Sequence, residues 1–175
     1  MANTYQLISS VTVGSGGAAS IDFTSIPATY TDLKLVASIR VDRSGTTFTQ
    51  LGVRLNGSSS SYSTRTLEGN GSTASSANNT TPYFGYETFS ANSTNSTTST
   101  FSSFEIYLPN YAGSANKSGS IDFVSEQNAT TANAKLGAAL WSNTAAINQI
   151  TLNEPNSNSN FVQYSTAYLY GIKNS

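Results

Sequence analysis

The chain contains no cysteine and no histidine. The first absence removes disulfides and thiolate nucleophiles. The second removes imidazole bases, the Ser-His-Asp triad and nearly all zinc, copper and haem sites. Charge is scarce as well, at 10% of residues against roughly 25% in an ordinary soluble domain. The net charge is −1, and the eight basic residues (Lys34, Arg40, Arg43, Arg54, Arg65, Lys117, Lys135 and Lys173) are scattered. A nucleic-acid partner needs a basic footprint to neutralise its phosphates, so none is expected. No apolar run approaches the roughly 20 residues that span a bilayer, so no membrane partner is expected either. The opening "MANTYQLISSVTVG" has neither a basic start nor an apolar centre, and a secretory signal is not expected.

What is present is Ser, Thr and Asn, together about two residues in five. Ten Tyr and eight Phe accompany them. Low charge with this aromatic content is unlike the composition of disordered chains. N-x-S/T triplets, as at Asn56, Asn70 and Asn128, follow from the composition alone. A length of 175 residues suits one domain over 1–175.

Alternation with period two runs through the chain. "YQLISSVTV" places Tyr5, Leu7, Val11 and Val13 on one face. "DLKLVASIRV" places Leu33, Leu35, Ala37, Ile39 and Val41 on one face and Lys34, Ser38 and Arg40 on the other. "QLGVRL" groups Leu51, Val53 and Leu55, and "SSFEIYLP" groups Phe104, Ile106 and Leu108. "INQITL" and "FVQYSTAYLYGI" close the chain as strands. Turn signals separate them at 14–17, 43–45, 56–60, 69–72, 109–113 and 153–160. The best helix candidate, "TTANAKLGAAL" at 130–140, is broken by Gly137 and also alternates; it is read as a strand. The expected fold is all-β with little or no helix: an antiparallel β-sandwich, jelly-roll-like, of about eight to ten strands. Residues at about 58–100 stand apart as a Ser/Thr/Asn-rich loop excursion carrying one apolar cluster, "PYFGYETF". That cluster reads either as a strand of the main sheet or as a patch directed at a partner.

"SIDF" occurs at 20–23 and again at 120–123. In a strand its Ile and Phe face one way and its Ser and Asp the other, which keeps the carboxylate in water. The flanks share nothing, so two similar strands explain the match better than a repeat. Asp22 and Asp122 as a glycosidase-like pair would need to converge within about 5–10 Å, and nothing in the spacing favours that. No enzymatic activity, cofactor or metal is expected. "SEQNATTAN" and "NEPNSNSN" offer oxygen ligands to calcium, but no calcium-loop motif is present. The single Trp141 reads as core rather than as a sugar platform.

Several segments carry a resemblance: "YQLISSVTVGSGGAASIDFTSIPATYTDLKLV", "FEIYLPNYAGSANKS", "SEQNATTAN", "LWSNTAAINQITL" and "NFVQYSTAYLYGI". Over about 4–55 and 101–172 the chain resembles a family of small virion structural proteins of tailed bacteriophages, particularly marine and cyanobacterial ones. The resemblance implies a β-rich particle protein without catalytic residues. The expected role is capsid decoration, on the outer shell of the virion. The major capsid protein or other virion proteins would be partners, and a homo-oligomer, a trimer by preference, is expected. The contact residues expected are Tyr83, Phe84, Tyr86 and Tyr111, each of which could equally be ordinary core or turn packing. The alternative is a tail or head fibre module that binds host surface glycan.

Overall fold

The computed structural model describes residues 4–128, 132–156 and 158–173. Among them there are thirteen strands and no helix. Eight strands form one antiparallel sheet: β1 (Tyr5–Thr12), β3 (Asp32–Ile39), β6 (Tyr62–Gly69), β7 (Ala74–Asn79), β9 (Ser102–Pro109), β10 (Lys117–Ser125), β11 (Asn133–Trp141) and β13 (Thr166–Ile172). Their spatial order is β1-β13-β3-β9-β10-β11-β6-β7. A three-stranded sheet, ordered β2-β12-β5, consists of β2 (Ser20–Phe23), β12 (Ile150–Asn153) and β5 (Gly52–Leu55). A short pair, β4 (Phe48–Gln50) with β8 (Ser90–Asn92), completes the set. The fold is an all-β antiparallel sandwich with layers of unequal width. Its strand count exceeds the eight to ten expected because several strands are only three or four residues long.

The inner faces meet in one core. From the large sheet come Leu33, Leu35, Ile39, Phe104, Ile106, Ile121, Phe123, Leu169 and Trp141. From the small sheet come Ile21, Phe23, Val53, Leu55, Ile150 and Leu152. Strand β3 alternates strictly, with every second residue buried, as the pleat requires. Residues 133–140 follow the strand reading, within β11; positions 129–131 lie outside the described residues. Trp141 is core, stacked on Tyr62 with ring centroids 6.1 Å apart.

Three expectations are corrected. The first concerns β1. A bulge between Leu7 and Ser9 in its pairing with β13 inserts Ile8. One extra residue reverses the facing of everything before it. Val11 therefore packs against the core while Tyr5 and Leu7, expected beside it, are exposed.

The second concerns the loop excursion at 58–100. Residues 62–79 form a hairpin of the large sheet, β6 and β7, turning at 70–73, where Asn70 Oδ1 accepts from the backbone N–H groups of Ser72 and Thr73. Inward-facing Thr64 and Thr66 stand where aliphatic residues would otherwise mark a strand.

The third concerns "PYFGYETF". It is not a strand of the main sheet, nor does it project outward. The backbone N–H of Phe84 donates to Val53 O at 2.8 Å, placing the segment beside β5. Phe84, Thr88 and Phe89 are buried completely. The segment fills the core where the narrow sheet leaves the wide one uncovered. Thr88 lies against Gly137, and its hydroxyl bonds that of Thr66 at 2.9 Å. Gly85 is essential there: its φ is +71°, and a Cβ would stand 2.2 Å from Ile121 Cδ1.

Candidate interaction surfaces

The structure buries three of the four expected contact residues. Phe84 and Tyr111 are 0% exposed and Tyr83 is 6% exposed, so in the folded chain none of the three offers a surface to a partner. Tyr111 is tied down at both ends: its hydroxyl donates to Pro27 O, and its carbonyl accepts from Ile147 N–H at 3.0 Å. Burial pushes its phenol pKa up. Tyr86 is half-buried and stacks on Tyr83 at 6.0 Å.

The two aspartates are not brought together. Ile21 and Phe23 enter the core from the small sheet, and Ile121 and Phe123 enter it from the large one. Asp22 and Asp122 are exposed on the two outer faces, with the whole core between them. Nor does "NEPNSNSN" present a calcium loop. Glu154 is 3% exposed, and its carboxylate accepts from the Asn156 and Asn158 backbone N–H groups at 3.2 and 2.7 Å. Arg43 stands 3.5 Å from the same carboxylate. The loop folds around Glu154 and uses up its oxygens. Among the described residues no group of three or more acidic side chains could hold a metal ion.

The outer face of the large sheet is the wider accessible surface, and pairing register defines it. One row across the sheet reads Leu7, Tyr170, Lys34, Tyr107, Ser120, Ala138, Arg65 and Asn78. The next reads Ser10, Tyr168, Val36, Glu105, Asp122, Leu136, Leu67 and Ser76. Apolar side chains stand exposed on it: Leu67 and Leu136 at 56%, Val124 at 44%, Tyr5 at 53% and Leu7 at 51%. Leu67 and Leu136 are direct cross-strand partners. With Val124 and Ala134 they line a shallow groove of about 440 Å³. On the same face Lys34 pairs with Glu105 at 2.8 Å, and that hydrogen bond raises the lysine pKa. Clustered exposed apolar side chains mark an interaction surface, where single ones would not.

Sequence reasoning missed this surface. Alternation over 5–13 groups Leu7 with the core face, and Leu67 carries no signal of its own. Strand β11 has apolar residues on both faces, Leu136, Ala138 and Leu140 on one and Ala139 and Trp141 on the other. Its alternation does not say which face is inside.

The outer face of the small sheet is polar. Its rows are Asp22, Thr151 and Arg54, then Ser20, Asn153 and Gly52. The Thr151 hydroxyl donates to Asp22 at 2.6 Å, and the Ser20 hydroxyl donates to the other carboxylate oxygen. Tyr83 lies over Gly52, where a Cβ would come 2.3 Å from its ring. The Tyr83 hydroxyl accepts from Arg54 Nη2 at 3.1 Å, and the guanidinium carbon sits 4.8 Å from the ring centroid.

Compared with protein-family models, curated proteins and solved structures, the chain matches none.

Proposed function

We propose that the chain is a non-enzymatic structural protein of a tailed-phage particle, a decoration protein that docks on the outer shell through the outer face of its eight-stranded sheet. The observation that carries this reading is the exposed apolar group Leu67, Leu136 and Val124 on a broad sheet face. The segment resemblance supplies the setting. The partner is the major capsid protein, and a homo-oligomer, preferably a trimer, adds avidity across repeated sites. Burying a leucine that is 56% exposed contributes about half of the 1.5–3 kcal/mol of a full burial, so the two together contribute about 1.5–3 kcal/mol. The tail or head fibre module is the second reading, favoured by the polar outer face of the small sheet.

The test is the copy number per purified particle, by quantitative mass spectrometry against the major shell protein. Hundreds of copies are expected for a shell site. A few to a few tens would overturn the shell assignment and move the protein to the tail or fibres. Leu67→Gln with Leu136→Gln, which adds no like charge beside Asp122, should then lower attachment by about 10- to 100-fold. The stability of the isolated chain should change by less than about 1 kcal/mol, because both positions are exposed. Unchanged attachment would show that another face docks.

A further inference from the structure

The free edges of the three sheets are guarded unequally. An edge strand offers unpaired N–H and C=O groups to any other chain, and proteins blunt it with charge, proline, a bulge, shortness or a cover. Strand β1 has the bulge at Ile8. Strand β2 is four residues long and carries Asp22, and β4 and β8 have three residues each. The backbone of Phe84 covers the edge of β5. Strand β7, "ASSANN", has none of these devices. It is six residues long, uncharged and without proline, and Ala74 to Asn78 are exposed. Its register with β6 is unbroken, and β6 is its one strand partner among the described residues.

The register shows which backbone groups of β7 are free. In an antiparallel ladder, opposed residues that exchange hydrogen bonds alternate with opposed residues that do not. At the hairpin turn Asn70 N–H donates to Thr73 O at 3.2 Å, so that opposed pair is a bonded one. Along the constant register the next bonded pairs are Glu68 with Ser75, Thr66 with Ala77 and Thr64 with Asn79. Ser75, Ala77 and Asn79 therefore turn their backbone groups towards β6. Ala74, Ser76 and Asn78 turn theirs outward, a donor and an acceptor at every second residue.

This set is its own complement. A second copy running antiparallel about a twofold axis at Ser76 sets Ser76 against Ser76, and Ala74 of each copy against Asn78 of the other. Each opposed pair then exchanges two hydrogen bonds, and every outward group of both strands is paired. An axis one residue either way leaves Ala74 or Asn78 beyond the end of the strand. The side chains permit the match. Arg65 stands in the row of Asn78 and the other copy's Ala74, and Glu68 in the row of Ser75 and the other copy's Ala77, so no like charges meet. On the outer face Leu136, Leu67 and Ser76 continue into Ser76, Leu67 and Leu136 of the second copy, which joins the two apolar groups into one broad face. We infer that β7 pairs with β7 of a second copy of this chain, making one continuous sheet of two eight-stranded ones. The contact is twofold and lies at the edge of the sheet. It stands apart from the shell assignment and from any threefold contact.

The experiment is sedimentation of the isolated chain over a range of concentrations. An edge of six residues buries less than the roughly 1,200 Å² of a stable interface, so a dissociation constant on the order of 0.1–1 mM is expected. Ser76→Pro removes an N–H that β6 does not use, and should weaken the dimer at least about tenfold while the hairpin stays paired. Ser76→Lys and Ser76→Asp each set like charges face to face on the axis. Each alone should weaken the dimer about fivefold, and an equimolar mixture of the two should dimerise at least as well as the native chain. The absence of cysteine makes the register readable. Opposed Cα atoms about 5.5 Å apart are within disulfide reach, so Ser76→Cys should oxidise to a covalent dimer at least about tenfold faster than Ser75→Cys or Ala77→Cys. A chain that stays monomeric through 1 mM (roughly the weakest constant expected), a dimer indifferent to Ser76→Pro and to both charges, or a disulfide that forms faster at residue 75 or 77 would each overturn the inference. None of these results depends on copy number per particle, so this proposal and the shell assignment fail separately.

Discussion

Arg40 is the residue whose removal tests the architecture of the polar loops most sharply. It follows β3 directly, and its guanidinium meets no carboxylate among the described residues. Instead Nη1 donates to Thr100 O at 2.9 Å and Thr97 O at 3.0 Å, while Nη2 donates to Ser93 O at 2.9 Å and Ser96 O at 3.3 Å. One side chain therefore gathers four carbonyls of the 93–100 loop. Its partial burial lowers its pKa through desolvation. A hydrogen bond from a charged donor contributes about 1.5–3 kcal/mol. The Thr97 bond is exposed and competes with water, and the Ser96 bond is long, so the bonds to Thr100 and Ser93 count most. Two at the low end give about 3 kcal/mol for Arg40→Met, which keeps the stem packing. For a chain of this size that corresponds to a thermal midpoint about 6–12 °C lower. Arg40→Lys should recover only part of the loss, because a compact ammonium does not span both carbonyl pairs. Urea denaturation gives the free energy, and hydrogen exchange gives the location, expected at the amides of 93–97. A change under about 0.5 kcal/mol, or faster exchange spread evenly over the sandwich, would refute the reasoning.

Two further outcomes follow from the same structure. Tyr164 has φ +71° at 68% exposure, in a turn closed by Ser165 N–H donating to Val162 O; Tyr164→Gly should raise stability by about 1 kcal/mol, read as a higher urea midpoint. Alkali should destabilise the fold. Tyr62, Tyr86 and Tyr111 have raised pKa values caused first by burial, and Tyr107 by its hydrogen bond to Asp32. Each holds its proton longer folded than unfolded, so its contribution is full below pH 10 and lost as pH rises through the folded value. Lys34, raised first by its bond to Glu105, acts in the same sense above pH 10.5. Lys117 opposes them, since burial lowers its pKa and its unfavourable charge is relieved as pH rises towards 10.5. A urea midpoint that falls steadily above pH 10 is expected, and a level one would contradict the burial of these phenols.

Where one face of a strand is aliphatic and the other polar, the sequence carries the fold. Strands β3, β9 and β10 behave this way, and both copies of "SIDF" orient as their alternation requires. Legibility ends where that contrast does. In β6 the inward residues include Thr64 and Thr66, so the hairpin reads as polar loop; only β-branching hints at strand. The bulge at Ile8 leaves no local mark, because it is set by pairing with β13. The positions of Tyr83 and Phe84 depend on the unequal widths of two sheets, which no local window contains. Lys117 shows the same limit: a lysine 1% exposed, its ammonium donating to Gly113 O, Ala115 O and Thr144 O, looks like any surface cation in "ANKSG".

These cases share a design that accounts for the scarcity of charge. Only three salt bridges join the described residues. The loops are instead ordered by single side chains that each collect several backbone groups: Arg40 on 93–100, Lys117 on 113–115 and 144, Glu154 on 156 and 158, and Asn56 on 146–149. Such bonds are short-ranged and directional, and they satisfy carbonyls and N–H groups that irregular backbone would otherwise bury unpaired. They also free the two outer faces from structural duty. One face exposes leucine and tyrosine, the other polar side chains, and the core isolates each from the other.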